Sequence, residues 1–324
     1  MILRKATEFS DTGQHAAVVD YLAGLPPNEI TSSPTLALLF GIALARLGRH
    51  AEGARWVDIA LKQARERGDR AIEARALNVQ GAIALEAGRI DEAATYFSRV
   101  LEEATRDADH AAVGRCSNNL GIIANLRGDY GRAIGSYTMA VASFEQVALH
   151  RGVSEARHNL GIAYRDQGDL ATALATAEGA VEEAEVAGDR ALAAQTRAGR
   201  AEVRILSGEA ELGHREVERA LAMHRELGDT VGEAEDLRVF ALALAALGDT
   251  EQAESTLRAV TERAEASERP LLAAQARRDL AHLLKRLGRV AEAKDFALTG
   301  RAQFSQLGAA AEVRKLDELI RQLG

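Results

Sequence analysis

The chain predicts an all-α fold, a right-handed solenoid (superhelix) of seven helix-turn-helix repeats with a helical cap at each end, on three observations. Glycine returns every forty residues, at Gly48, Gly88, Gly128, Gly168, Gly208, Gly248 and Gly288, with no insertion or deletion between copies. A fixed period of this length is the mark of one structural unit reused. Each copy also carries two apolar stripes at helical spacing. In 111–150 they are Val113, Cys116, Leu120, Ile123 and Ala124 before the glycine, and Ile134, Tyr137, Val141 and Phe144 after it. Finally, small residues recur at one place in each helix. The first helices carry Gly41, Gly81, Gly121, Gly161, Ala201, Ala241 and Ala281, the second Gly53, Ala93, Ala133, Ala173, Gly213, Ala253 and Ala293. Helices that cross there can approach closely, and a bulky side chain would overpack the crossing.

Residues 1–32 form an off-register opening pair, an N-terminal cap, with Gly13 between a short helix and the stripe Ala17, Val18, Tyr21 and Leu22. Leu25-Pro26-Pro27 ends that pair, and Ser33-Pro34 starts the first full repeat with a capping hydroxyl and a first-turn proline. Seven repeats then run over 33–308. Inside each, the series glycine ends the first helix in a left-handed conformation that a residue without Cβ takes freely. Asp129, Asp169, Glu209 and Asp249 follow it and cap the second helix or complement its positive end. Between repeats, Gly68-Asp69, Asp109, Gly188-Asp189, Gly228-Asp229 and Pro270 stop one helix and start the next. The segment 309–324 is a closing helix with Val313, Leu316, Leu319, Ile320 and Leu323 inward and charged residues outward, as an end cap requires.

The order Leu120-Gly121, Gly128, Ala133, Tyr137, Ala140, and again Leu160-Gly161-Ile162-Ala163-Tyr164, resembles the tetratricopeptide repeat (TPR) over residues 34–308. Two features depart from that family: a period of forty in place of 34, and no proline near the end of the second helix. The forty-residue form is similar to repeats of kinesin light chains, polarity adaptors and bacterial peptide-sensing regulators. The resemblance implies that the first helices line a concave face and that the protein is a non-catalytic scaffold for a protein or peptide. Two alternatives stay open. One is the sensor arm of a bacterial signalling or transcription regulator, binding a peptide or small effector. The other is a self-associating assembly protein, a homo-oligomer built through groove or cap.

Composition agrees with a binding role. Only 4% of residues are aromatic against 47% apolar overall, so the core is built from Ala, Leu, Val and Ile. A net charge of −8 argues against nucleic acid and anionic membranes as partners. No apolar run reaches the ~18 residues that span a bilayer. The single cysteine, Cys116, cannot make an intramolecular disulfide, and Met1-Ile2-Leu3-Arg4-Lys5 does not open a secretory leader. A cytoplasmic protein is expected, and the excess of arginine over lysine points to a bacterial source.

Phosphate-binding loops, zinc-protease motifs, paired cysteines and nucleophile elbows are all missing from the sequence, so catalysis, cofactor and metal are each expected to be none. His110 and His150 stack in adjacent joints at about the ~10 Å helix spacing, too far apart for one metal, and read as solvated. Cys116 reads as a small, semi-buried residue and Trp56 as packing between helices.

The candidate partner-binding residues lie on the first helices of repeats two to four: Arg75 and Asn78; Arg115, Asn118, Asn119 and Asn125; His158, Asn159 and Arg165. Asparagine is a poor choice inside a helix, so its recurrence at Asn119 and Asn159 asks for a reason. Either these amides bond the main chain of a bound peptide, as similar asparagines do in related repeats, or they bridge neighbouring helices. Asn118 and His158 are the positions expected to face the groove. The first-helix segments carry more Lys and Arg than Asp and Glu and the second-helix segments the reverse, which favours an acidic ligand if the first helices line the concavity. A stack of this length offers a surface on the order of 60–70 Å, room for roughly 20 extended residues.

Arg197, Arg200 and Arg204 stand where other copies carry apolar or small residues. They are expected to pair with Glu202, Glu235 or Asp236, to form an anion site, or to mark a rotated helix. The family's carboxylate clamp needs lysine and asparagine on successive first helices. Leu38 and Ile42, Asn78 and Ala82, and Asn118 and Ile122 stand in its place, which makes chaperone tails poor partners.

Overall fold

The computed structural model describes residues 1–11 and 14–324; Gly13, expected to separate the first two helices, lies outside the described residues. These form eighteen α-helices, with no strand among the described residues. They divide into two compact units, Met1–Asn119 and Leu120–Gly324. The first holds α1 (Ile2–Asp11), α2 (His15–Ala23), α3 (Pro27–Thr31), α4 (Pro34–Arg46), α5 (His50–Arg67), α6 (Arg70–Glu86), α7 (Ile90–Arg106) and the start of α8 (His110–Arg127). The second holds the rest of α8 with α9 (Tyr130–Glu145), α10 (His150–Gln167), α11 (Leu170–Ala187), α12 (Arg190–Leu206) and α13 (Ala210–Leu227). It continues through α14 (Thr230–Leu247), α15 (Thr250–Ala266), α16 (Pro270–Arg286), α17 (Val290–Gln306) and α18 (Ala310–Leu323). From α4 onward every helix pair of the repeat is present, and the fold is the all-α solenoid. The short α3 is additional. Pro26 and Pro27, read from the sequence only as a stop, also start this turn, because a first-turn proline costs no hydrogen bond.

The series glycines all take positive φ, between 75° at Gly288 and 96° at Gly168. A second left-handed series marks the joints between repeats, at Gly68, Gly188, Gly228 and Gly308. Ala108, Ala148 and Glu268 hold the same geometry at equivalent joints, with φ of 54°, 50° and 52°, each at a cost of about 1–2 kcal/mol. Asp69, Asp129, Asp169, Asp189, Asp229 and Asp249 each accept a first-turn N–H through the side chain. Glu209 makes no such bond. Its extra methylene places the carboxylate beyond the capping position that Asp reaches.

The small-residue crossings are as close as expected in most copies. A Cβ added at Gly53 would lie 2.8 Å from the Gly41 carbonyl, and one at Gly121 would lie 2.6 Å from the Tyr137 ring. Gly161 differs, since its nearest neighbour would be 3.4 Å away. Ala177 stands there at the register place that Tyr137 holds one repeat earlier. Gly121→Ala is therefore expected to destabilise by about 1–3 kcal/mol through overpacking. Gly161→Ala should stabilise by about 0.5–1 kcal/mol through helix propensity. Urea unfolding of the two variants measures the contrast.

In the first unit Phe97 is fully buried beneath Gly81, Trp56 packs on Phe40 with ring centroids 5.0 Å apart, and Cys116 is fully buried beside Leu77 and Val100. The sequence reading of Cys116 as semi-buried is thus too open. Burial also pushes its thiol up to about 12, which makes it unreactive.

The second unit has its largest core at the C-terminal end, where Leu257, Leu280, Leu284, Phe304, Leu316 and Leu319 come together. α18 buries Leu316, Leu319 and Leu323, with Val313 and Ile320 half-buried. It also folds back on the end of α8. Arg314 donates from Nη2 to the Arg127 carbonyl at 3.0 Å, Leu126 packs on the C-terminal core, and Gly128 leaves room for Arg314 and Ala311. The unit is closed upon itself by these contacts.

Candidate functional site

The inner side of the second unit bears a cavity of about 300 Å³ that opens to solvent. Its lining comes almost entirely from first helices: Asn125 on α8, His158, Asn159 and Arg165 on α10, Gln195 and Glu202 on α12, Asp236 and Arg238 on α14, Gln275 and Arg278 on α16, and Glu312 on α18. The forty-residue register explains the convergence. Positions 195, 235 and 275 share one place on successive helices, as do 158, 198, 238 and 278, and the residues at both places line the same lumen.

One wall is a ladder of alternating charges. Arg165 contacts Asp166 at 2.8 Å and Glu202 at 3.0 Å; Arg238 contacts Glu202 at 2.8 Å and Asp279 at 2.6 Å. Arg278 contacts Asp279 at 2.8 Å and Glu312 at 2.7 Å, and Lys315 completes it on Glu312 at 2.7 Å. Asn125 donates from Nδ2 to Asp166 at 3.1 Å. Burial alone would raise the Glu202 carboxyl, but the guanidinium groups of Arg165, Arg238 and Arg278 reverse this and hold it near 2. Arg278 and Lys315 do the same for Glu312, also near 2. Glu202 and Glu312 are thus ionised at neutral pH, and each charge of the ladder faces its opposite.

His158 stands over Gly199, where any Cβ would strike its ring. Burial, and then the charge of Arg165, push it down to about 4, so at neutral pH the ring is uncharged and both donates and accepts. Its surroundings are dense although the ring is only half-buried, because it lines the cavity. His224, in the wall behind, has the opposite bias. Burial opposes its charge, but the hydrogen bond from Nδ1 to Asp236 at 2.7 Å and the Asp236 charge outweigh it and raise its pKa. Nε2 faces the Ala191 carbonyl at 3.3 Å, so both ring nitrogens meet acceptors.

The two histidines give stability terms of opposite sign. His158, depressed below its unfolded value, contributes above pH 6.5 and is lost as pH falls toward 4. His224, raised, contributes below pH 6.5 and is lost as pH rises through its folded pKa. His158→Asn is expected to flatten the melting-temperature profile between pH 4 and 6.5. His224→Gln should flatten it above 6.5. Thermal melts at half-unit pH steps check both.

Of the residues predicted from sequence, Asn125, His158, Asn159 and Arg165 meet in this cavity. The others belong to the first unit. There Asn119 donates from Nδ2 to Asn78 Oδ1 at 3.1 Å, with the Cys116 thiol 3.7 Å from the same oxygen. The bridging arrangement is the one these two amides adopt. Arg75 is exposed, and Arg115 and Asn118 are half-buried, with burial pushing the Arg115 guanidinium down. The sequence reading missed Gln195, Glu202, Asp236, Arg238, Gln275 and Arg278 because it stopped at the fourth repeat. Carrying the forty-residue shift of Arg115 and Asn118 through repeats five to seven would have reached Gln195, Arg238, Gln275 and Arg278, while Glu202 and Asp236 fall in the registers of Ile162 and Ala156, which carry no polar mark.

The arginines of the fifth repeat are paired, with partners other than those expected. Arg197 bridges to Glu185, Arg200 to Glu216, and Arg204 to Glu216 at 3.2 Å and Glu178 at 3.6 Å. All three reach the second helices α11 and α13, while Glu202 and Asp236, expected as their partners, serve Arg165, Arg238 and His224. Glu235, the third expected partner, pairs with Arg269. Position 200 points between the helices of its own pair, so its charge is met within the repeat. His150 contacts Glu183 at 2.8 Å on the surface. Among the described residues no group of three or more His, Cys, Asp or Glu could hold a metal, and no helix is long and apolar enough to cross a membrane.

No curated protein is significantly similar in sequence. Among solved structures, aspartyl phosphate phosphatase F from Bacillus subtilis superposes with a TM-score of 0.69 at 15% identity, over 86% of this chain and 71% of its own. A Rap protein complexed with Competence and Sporulation Factor gives 0.62 at 12% identity, over 99% and 97%. NprR in complex with its cognate peptide NprX gives 0.57 at 17%, over 84% and 78%. Models of the tetratricopeptide repeat match residues 33–106 and 80–146, and then 154–178, 240–259 and 274–298. With the paired helices, the left-handed glycine hinges and the small-residue crossings, these matches show that the chain belongs to the tetratricopeptide repeat family.

Proposed function

We propose that the protein acts by binding, without catalysis, and that its ligand is a short peptide held in this cavity of the second unit. One observation carries this reading. His158, Gln195 and Gln275 line the same lumen as Asn159 and spend no hydrogen bond on another described residue, whereas the ladder charges beside them are spent on one another. Neutral groups that both donate and accept suit a peptide main chain. Carboxylates locked into ion pairs are poorly placed to serve as general bases. Two similar structures hold a peptide or a named factor, which supports the reading for this chain.

The closure by α18 shortens the ligand. In place of about 20 extended residues along an open surface, the cavity of about 300 Å³ suits a few residues. Its lining also bears on the acidic preference expected from the first helices. The charges of the lining are matched, Arg165, Arg238 and Arg278 by ladder carboxylates, Glu235 by Arg269 and Asp236 by His224, so this cavity suits neutral peptides rather than acidic ones. One chain completes the site, and no homo-oligomer is needed. The same binding would serve a cytoplasmic scaffold or the sensor arm of a regulator.

The test equilibrates the full chain with a synthetic pentapeptide library and identifies retained peptides by mass spectrometry. The wild type is compared with Gln195→Ala/Gln275→Ala after matching helical content. A defined set enriched at least tenfold over the variant supports the site. Equal enrichment removes the peptide from this cavity, and no enrichment overturns the reading.

A further inference from the structure

On the other side of the charge ladder lies a second cavity, of about 560 Å³. It shares Arg165, Asp166, Glu202 and Arg278 with the first and is otherwise different in character. Its floor is aliphatic, made by Ile205 and Leu206 of α12, Leu242, Ala245 and Ala246 of α14, Leu257 of α15 and Leu283 of α16. Its polar edge is formed by His282 and Arg286 of α16 and Lys315 of α18.

The charges here are unequally committed. Arg165 and Arg278 are saturated by ladder carboxylates. Arg286 touches only the Ala245 carbonyl, at 3.5 Å, and has no carboxylate partner among the described residues, while Lys315 shares its charge with Asp166 and Glu312. The cavity thus offers one uncompensated cation and part of a second over an apolar floor. That complement fits a single negative charge; a phosphate dianion would demand more. The floor asks for a hydrocarbon body rather than a polar one.

We propose that this second cavity binds an aliphatic monocarboxylate, its chain lying against Leu242, Leu257 and Leu283 and its carboxylate received by Arg286 and Lys315. The carboxylate comes from a free medium-chain acid or from the apolar C-terminus of a peptide, and the two share this chemistry. The proposal stands apart from the peptide reading of the first cavity, since the two share only the ladder wall of Arg165, Asp166, Glu202 and Arg278. Binding should strengthen about fourfold per added methylene until the floor is covered.

Isothermal titration calorimetry of the full chain tests it with hexanoate and octanoate, with octylamine as the cationic control, and with tri-leucine bearing a free or an amidated C-terminus. Octanoate is expected to bind more tightly than hexanoate, with octylamine not binding. Arg286→Ala, at an exposed position that leaves the core intact, should lose at least tenfold, and Arg286→Lys should recover part of it. Ala246→Leu, which fills the floor, should also weaken octanoate. Tri-leucine binding in the free-acid form alone, without octanoate, assigns the carboxylate to a peptide terminus. Equal binding of octylamine or of the amide, an unaffected Arg286→Ala, or no saturable binding by any probe overturns the proposal.

Discussion

Replacing Glu202 with alanine is expected to lower the stability of the second unit by about 3–5 kcal/mol, the range for removing one partner from a buried ion pair. Glu202 is buried between Arg165 and Arg238. Without it, Arg165 retains Asp166 and Arg238 retains Asp279, but two guanidinium groups then face each other with no carboxylate between them. The loss comes less from the pair's own attraction than from charge left buried and unmatched. Glu202→Leu combined with Arg238→Met, which removes both signs and keeps the volume, should restore most of it. Urea unfolding at pH 7 separates the cases. A loss below about 1 kcal/mol for the alanine variant would show that water already screens the ladder.

Phe304→Ala should cost about 3–5 kcal/mol, the range for emptying a fully buried aromatic site. Phe304 is 0% exposed, packs within the C-terminal core and also borders the first cavity. The variant therefore joins a new void to an existing one, and lining groups such as Gln275 and Glu312 let water enter it. That places the cost toward the lower end of the range. Phe304→Leu, which keeps most of the volume, should cost about half as much or less. An unchanged m-value with a lower urea midpoint is the expected signature.

The fold was legible because repetition makes a weak signal strong. A single glycine says little, but the glycines from Gly48 to Gly288 at one interval define the hinge, and all of them adopt it. What the pattern could not show was the hinge without glycine. Ala108, Ala148 and Glu268 hold left-handed φ because the helices on either side over-determine the joint, a tertiary effect with no local marker. The site was half legible for a related reason. Asn159 and His158 were found as polar residues on an inward helical face, but Asn119 shares that pattern and bonds Asn78 instead. Side-chain type states what a group can bond, while the neighbour's register decides what it meets. The ladder from Arg165 to Lys315 joins residues 41 or fewer positions apart at each hydrogen-bonded step, and its charges look like ordinary surface residues until the repeats are laid side by side.

The contact of Arg314 with the Arg127 carbonyl spans 187 positions of the chain, and it changes how the second unit must fold. In an open solenoid each repeat meets only its neighbours, so order can start anywhere and spread, and contact order stays low. Here the last helix must find the first one before the unit is complete, and the entropy of closing that loop is met only at the end. Refolding is expected to show fast growth of helix followed by a slower closing step. On the ribosome that step waits for α18 to emerge, so the cavity comes into being only after that helix has been made.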